Sequence, residues 1–128
     1  MKRVFLDANV LYAAARKPGK TLDRIITSNR AEFVTSPYAA LEARRNLEEP
    51  DRPRLKELLK SIQLVPDAFG AMPPGVVLRG KDIPILASAA LCQADLLITS
   101  DSRDFQHLFG RTIGGVKIVP TEDFPKEI

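Results

Sequence analysis

Asp95-Leu96-Leu97-Ile98-Thr99-Ser100-Asp101 is the stretch on which the reading of the chain turns. Leu96 to Thr99 form a short apolar and β-branched run with no alternation of polar and apolar positions. Such a run predicts a strand buried on both faces, as strands are when helices cover both sides of a parallel sheet. Asp101 stands just past its carboxyl end. In open α/β sheets ligands bind beyond the carboxyl ends of the strands. A carboxylate there is therefore a candidate functional group.

Upstream, Ile83, Leu86, Ala87 and Ala90 recur at helical spacing and predict a helix from Asp82 to about Gln93. It leads back to the start of the Leu96–Thr99 strand, so its own N-terminus lies at the Asp101 edge. Arg3-Val4-Phe5-Leu6 is a second buried strand, ending at Asp7. Val10, Leu11 and Ala14 mark the helix after it, which Lys17-Pro18-Gly19 breaks, and Leu22, Ile25 and Ile26 mark another, ending near Asn29. Glu32–Thr35 is the next strand. Ser36-Pro37 pairs an N-cap residue with proline in the first turn, where a missing N–H costs nothing, and starts a helix reaching about Glu49. Asp51-Arg52-Pro53 starts a further helix with Leu55, Leu58, Leu59 and Ile62 as its stripe, and Gln63-Leu64-Val65 reads as a strand.

Asp67 to Gly80, with Pro73-Pro74, Gly70, Gly75 and Gly80, predicts a long surface loop with an extended piece at Val76-Val77-Leu78. Long loops inside compact domains are often functional. Downstream of Asp101, a short helix is expected around Phe105 to Phe109. Gly114-Gly115 then leads into a last strand, Val116–Val119, closed by Pro120. Strands alternating with helices imply βαβ units and a mostly parallel sheet.

The 128 residues suit one domain, 1–128, without internal repeat or low-complexity tract. Hydrophobic residues at 45% and charged residues at 27% exclude a globally disordered chain. No apolar run approaches the roughly 18 residues of a membrane span. The opening Met1 to Asp7 meets an acid too soon for a signal peptide, so a cytoplasmic protein is expected. One cysteine, Cys92, cannot form an internal disulfide, and with the single His107 it excludes a Cys/His zinc cage. Cys92 is read as a small buried apolar residue, His107 as a surface or packing residue.

The acids are more informative. Asp7 and Asp101 lie at the carboxyl ends of two strands, and Asp82 opens a helix at the same edge. Glu42 lies about 7–8 Å down the Pro37 helix, within reach of that edge. Asp104 is a possible fifth member. Taken singly, Asp7, Asp82, Asp101 and Asp104 could be helix caps and Glu42 a solvated helix residue. Capping does not account for their meeting at one edge, where they repel. A hard divalent cation, Mg²⁺ or Mn²⁺, accounts for such a set of oxygen ligands. The net charge is +3; with those five acids set aside the remainder carries +8. Arg44, Arg45, Arg79, Lys81, Arg103 and Arg111 lie near the acids in sequence, and the first five are candidate nucleic-acid-binding residues. An acidic pit in a basic surround suits a phosphodiester backbone, although for any single one of these residues ordinary solvated surface is the favoured reading.

These features together resemble the PIN-domain nucleases, over essentially the whole chain. The resemblance rests on Val4-Phe5-Leu6-Asp7-Ala8-Asn9-Val10-Leu11, on Glu42, on Asp82-Ile83-Pro84-Ile85-Leu86-Ala87, and most specifically on Asp95 to Asp101. It implies a three-layer α/β/α sandwich with a mostly parallel five-stranded sheet in the order 3-2-1-4-5. It implies one or two Mg²⁺ or Mn²⁺ ions held by Asp7, Glu42, Asp82 and Asp101, with Asp104 at a variable ligand position. Asn9 and Thr99 match positions that orient ligands or water. The implied activity is endoribonuclease hydrolysis leaving 5′-phosphate and 3′-hydroxyl ends. Many small members are VapC-type toxins of type II toxin–antitoxin pairs, forming homodimers and held by a cognate antitoxin.

Other classes also fit parts of the pattern. A PIN fold can serve as a non-catalytic RNA- or partner-binding module, against which the complete acidic quartet argues. A DNA nuclease or phosphatase would use the same acids, since nothing in the sequence reads the sugar. A phosphate-accepting receiver domain also clusters aspartates at strand ends, but carries a lysine at the end of its last strand. Here Lys117 is inside that strand, which ends in Val119-Pro120.

Overall fold

β1 (Arg3–Leu6) and β4 (Leu96–Thr99) lie side by side in parallel, Phe5 opposite Leu97 and Leu6 opposite Ile98. Every residue of β4 is buried, so the sheet is covered on both faces, as the unbroken apolar run predicts. The computed structural model describes residues 1–128. β2 (Glu32–Thr35) flanks β1, and β3 (Gln63–Leu64) extends that side. β6 (Val116–Pro120) flanks β4 in parallel, and β5 (Thr112–Ile113) closes that side antiparallel to β6. The sheet is thus six-stranded and mostly parallel, order β3-β2-β1-β4-β6-β5, with helices around it.

The five-stranded expectation missed β5. Gly114 and Gly115 take φ of 58° and 84°, the pair of positive angles that a two-residue hairpin turn needs. They fold Ile113 back onto Val116, making a hairpin where only a lead-in was expected. The five parallel strands keep the expected order, with β6 in the fifth place.

α1 (Ala8–Arg16) packs against α2 (Thr21–Ile26), α3 (Pro37–Asn46) and α4 (Arg52–Leu59). α3 ends earlier than the expected Glu49, because Leu47 turns extended and a 3₁₀ turn, Glu49–Asp51, follows around Pro50. Val76–Leu78 forms no strand; Val76 is instead buried against the core. α5 (Ile83–Leu91) is followed by Cys92, which is half-buried, with its Sγ–H directed at the Ala89 carbonyl. α6 (Ser102–Phe105) starts before the expected Phe105, and a 3₁₀ turn, Gln106–Leu108, continues it. His107 is exposed.

α7 (Phe124–Glu127) was not anticipated. Phe124 is fully buried and meets Phe33 edge-on, with ring centres 5.9 Å apart. Burying such a side chain stabilises the fold by about 1.5–3 kcal/mol, enough to dock a single helical turn. No helix is long and apolar enough to cross a membrane.

Candidate metal centre

The site forms where β1 and β4 end together. The Asp7 N–H donates to the Ile98 carbonyl at 3.0 Å, extending the ladder to the last residue before the chain turns into α1. Asp7 Oδ1 accepts from the Ala8 N–H at 2.6 Å, so the side chain caps α1. Its Oδ2 accepts from the Thr99 hydroxyl at 2.8 Å. The Thr99 oxygen in turn accepts from Asn9 Nδ2 at 3.2 Å and from the Asp101 N–H at 3.1 Å. Asn9 Oδ1 accepts from the Ser100 N–H at 3.0 Å. Asn9 and Thr99 therefore pin the ends of both strands and orient Asp7. Burial raises the Asp7 pKa to about 6; the Thr99 and Ala8 hydrogen bonds oppose the rise, and Glu42 and Asp101 add to it.

α3 brings Glu42 to the same place. Ser36 Oγ accepts from the Ala39 N–H at 3.2 Å, the cap that Ser36-Pro37 predicted. The Tyr38 N–H in that first turn donates to Asp67 Oδ1 at 3.0 Å, and the Tyr38 hydroxyl donates to the Lys81 carbonyl at 2.9 Å. One residue of the long loop thus anchors α3, and α3 anchors the end of that loop.

Asp82 opens α5, but its side chain makes no capping hydrogen bond, which overturns the capping reading for this residue. It is 4% exposed, and its Oδ2 is buried with no hydrogen-bond partner. Burial, then the Asp104 carboxylate beside it, raises its pKa to about 7 against the opposing pull of Lys81. Asp101 does cap a helix, with Oδ1 accepting from the Asp104 N–H at 3.1 Å, and that cap swings Asp104 inward. Asp82, Asp101 and Asp104 each present one oxygen, all within 4.8 Å of one another. The Asp104 pKa is lowered because neighbouring Asp82 keeps the proton and Arg79 and Lys81 lie close.

Asp7, Glu42, Asp82 and Asp101 line one open cleft of about 490 Å³, together with Asn9, Tyr12, Asn46, Lys81 and Ser100. All four quartet acids therefore meet, and Asp104, placed fifth in the sequence reading, belongs to the tightest trio. The basic residues divide. Arg79 Nε pairs with Asp104 Oδ1 at 3.0 Å. Lys81 Nζ lies 3.7, 3.9 and 3.5 Å from Asp82, Asp101 and Asp104. Arg103 shares a shallow groove with Arg79 and His107. Arg44 lines a separate groove with Arg52 and Lys56, while Arg45 and Arg111 are exposed. Burial lowers the Lys81 pKa, but the surrounding acids outweigh it and hold the ammonium protonated.

The sequence reading missed Tyr38, Asn46, Asp67 and the inward turn of Lys81. For Tyr38 a signal was present: it stands four residues before Glu42, the spacing that puts two side chains on one helix face.

Clustered carboxylates, one of them a buried oxygen without a donor, fit a hard divalent cation. Lys117 lies at the opposite end of the sheet, paired across from Leu96 with its ammonium on Glu127 at 2.8 Å, far from where a receiver domain needs its lysine.

The sequence matches no family model and no curated protein. Among solved structures, a chain from the crystal structure of VapBC2 from Rickettsia felis, bound to a DNA fragment from their promoter, superposes with a TM-score of 0.65. The two are 14% identical, and the match covers 92% of this chain and 98% of that one. The likeness is one of fold: an α/β chain with a mostly parallel sheet, consistent with a PIN-like architecture.

Proposed function

We propose that residues 1–128 form one PIN-like domain that acts as a divalent-cation-dependent endoribonuclease, the toxin of a type II toxin–antitoxin pair. The observation that carries this reading is the convergence of Asp7, Glu42, Asp82 and Asp101 on one cleft, one of them, Asp82, with a buried Oδ2 that has no hydrogen-bond partner. The fold likeness to a chain of a VapBC2 complex supports it.

In this reading Asp7, Glu42, Asp82, Asp101 and Asp104 hold Mg²⁺ or Mn²⁺. A bound ion supplies Lewis-acid chemistry: it acidifies a water and stabilises charge on the phosphate. The protein's part is positioning and charge. Asn9 and Thr99 keep Asp7 Oδ2 in place. Asp82 gives up its proton when the cleft is loaded, which its pKa of about 7 allows near neutrality. Arg79 and Arg103 flank the acids and take the phosphates beside the scissile one. Attack on phosphorus is in line and releases the 3′ oxygen, leaving 5′-phosphate and 3′-hydroxyl ends. Homodimerisation, a cognate antitoxin and a cytoplasmic setting belong to the same reading.

The test is cleavage of single-stranded RNA and of matched DNA with Mn²⁺, Mg²⁺ or EDTA. Ion-dependent RNA cleavage that Asp7→Asn abolishes is expected. Full activity in EDTA or in Asp7→Asn overturns the mechanism, and faster cleavage of DNA overturns the substrate.

A further inference from the structure

Lys81 is the one basic side chain whose charged group faces all three clustered aspartates, and none of its three contacts is a close hydrogen bond. Its ammonium lies 3.5 Å from Asp104 Oδ2, 3.7 Å from Asp82 Oδ1 and 3.9 Å from Asp101 Oδ2, on a side chain that is 49% exposed. A lysine in a committed ion pair closes to about 2.7–2.9 Å on one partner. Lys60 does so with Glu57, at 2.9 Å, and Lys117 with Glu127, at 2.8 Å. Lys81 instead stands over the middle of the trio, equidistant within a few tenths of an ångström, as a loosely seated cation would. Its backbone does not follow the side chain: the Lys81 carbonyl is held by the Tyr38 hydroxyl, and the Asp82 N–H closes a turn on the Arg79 carbonyl. The ammonium can therefore leave while the loop stays.

We propose that Lys81 is a built-in competitor for the divalent cation, an exchangeable counter-ion that neutralises the Asp82–Asp101–Asp104 trio in the metal-free protein and is displaced into the cleft when the ion enters. The inference rests on the cation-binding part of the function proposed above. An ion bonded to oxygens of the same three carboxylates sits about 2.0–2.6 Å from them. An ammonium above those oxygens would then be pressed against a double positive charge, so the two cations exclude each other. Once displaced, the side chain remains tethered at the cleft wall, where it meets the phosphates of an incoming strand. Emptying the trio of its lysine and providing a cation for the substrate are thus one event.

The experiment is a titration of the whole protein with Mn²⁺, followed by electron paramagnetic resonance and by calorimetry, for wild type, Lys81→Met and Lys81→Arg. Lys81→Met should bind Mn²⁺ on the order of tenfold more tightly, since half-exposure screens the competing charge. It should also melt below wild type in EDTA, where the trio has lost its counter-ion. Lys81→Arg keeps the charge and should restore both properties toward wild type. Equal or weaker Mn²⁺ binding by a folded Lys81→Met, or no binding by either protein, overturns the proposal. Tighter binding by Lys81→Met with no RNA cleavage by any variant upholds the competitor and sinks the nuclease reading instead.

Discussion

The Thr99 hydroxyl and Asp7 Oδ2 meet at 2.8 Å across 92 residues of chain. A hydroxyl has one proton, and here it is given to Asp7, so the Thr99 oxygen is left to accept from Asn9 and from the Asp101 N–H. One side chain therefore sets the orientation of two acids. Thr99→Val keeps the shape and removes this junction. It should cost about 1–3 kcal/mol of stability and raise the Asp7 pKa further above about 6, because a hydrogen bond that favours the carboxylate is lost. Thr99→Ser should keep both near wild type. Chemical denaturation and carboxylate titration by carbon NMR measure the two effects.

The pH dependence of the metal-free protein follows from the two raised acids. Asp7 titrates near 3.8 in the unfolded chain and about 6 in the fold, and Asp82 about 7. A raised folded pKa means that the native state binds the proton more tightly. Its stabilisation is full below the unfolded pKa and is lost as pH rises through the folded one. For Asp7 the loss is about 3 kcal/mol. Asp104 and Glu127, with lowered pKa values, act in the other sense and lose their stabilisation only in acid. Thermal melts in EDTA should therefore show highest stability at about pH 4, near the unfolded carboxylate pKa values, and a fall toward pH 8. A melt that rises steadily to pH 8 contradicts the arrangement.

Asp82→Asn should separate folding from cation binding. It removes a buried charge whose Oδ2 has no partner, so in EDTA at pH 8 the variant should melt above wild type by about 3 °C or more. The same change should remove most of the stabilisation expected from Mn²⁺, which for wild type should reach about 2.7 kcal/mol at 100 times the Kd. Opposite signs in EDTA and Mn²⁺ are the expected outcome. A variant less stable than wild type in EDTA would show that the Asp82 carboxylate supports the fold.

Phe124→Ala tests the unanticipated last turn. Phe124 is fully buried against Phe33, so the substitution should cost about 3–5 kcal/mol in urea unfolding. A loss under about 1 kcal/mol would mean that α7 is not part of the core.

Much of this was legible before the structure, for physical reasons. β1, β2 and β4 announce themselves because strands buried on both faces cannot hide polar residues, and their residue limits, Arg3–Leu6, Glu32–Thr35 and Leu96–Thr99, are those expected. Asp7 and Asp101 follow from strand ends, and Asp82 and Glu42 from helices whose direction the connections impose. Asp104 was harder to place, because its inward turn depends on Asp101 capping a single helical turn. The inward position of Lys81 over the trio was not legible from its place in the basic surround. In sequence it is one more charge at the end of a proline- and glycine-rich loop, and only the folded position of Asp104, 23 residues later, draws it inward. β5 was missed because two residues carry no periodicity, and the Gly114-Gly115 pair was read as a lead-in to β6 when it is a hairpin turn.

The sheet ends on both sides in strands of only two residues, Gln63–Leu64 and Thr112–Ile113. Growth of a sheet by addition of a foreign strand needs a run of free backbone donors and acceptors along an edge. Neither border offers more than a single rung or two. The protein is in this sense closed to templated stacking, although its core is rich in β-branched residues, and a partner has to grip its helices and loops by their side chains. Away from Tyr38, Asp67 and Asp101, whose side chains anchor the site, those surfaces can change by substitution while the β1–β4 ladder stays as it is.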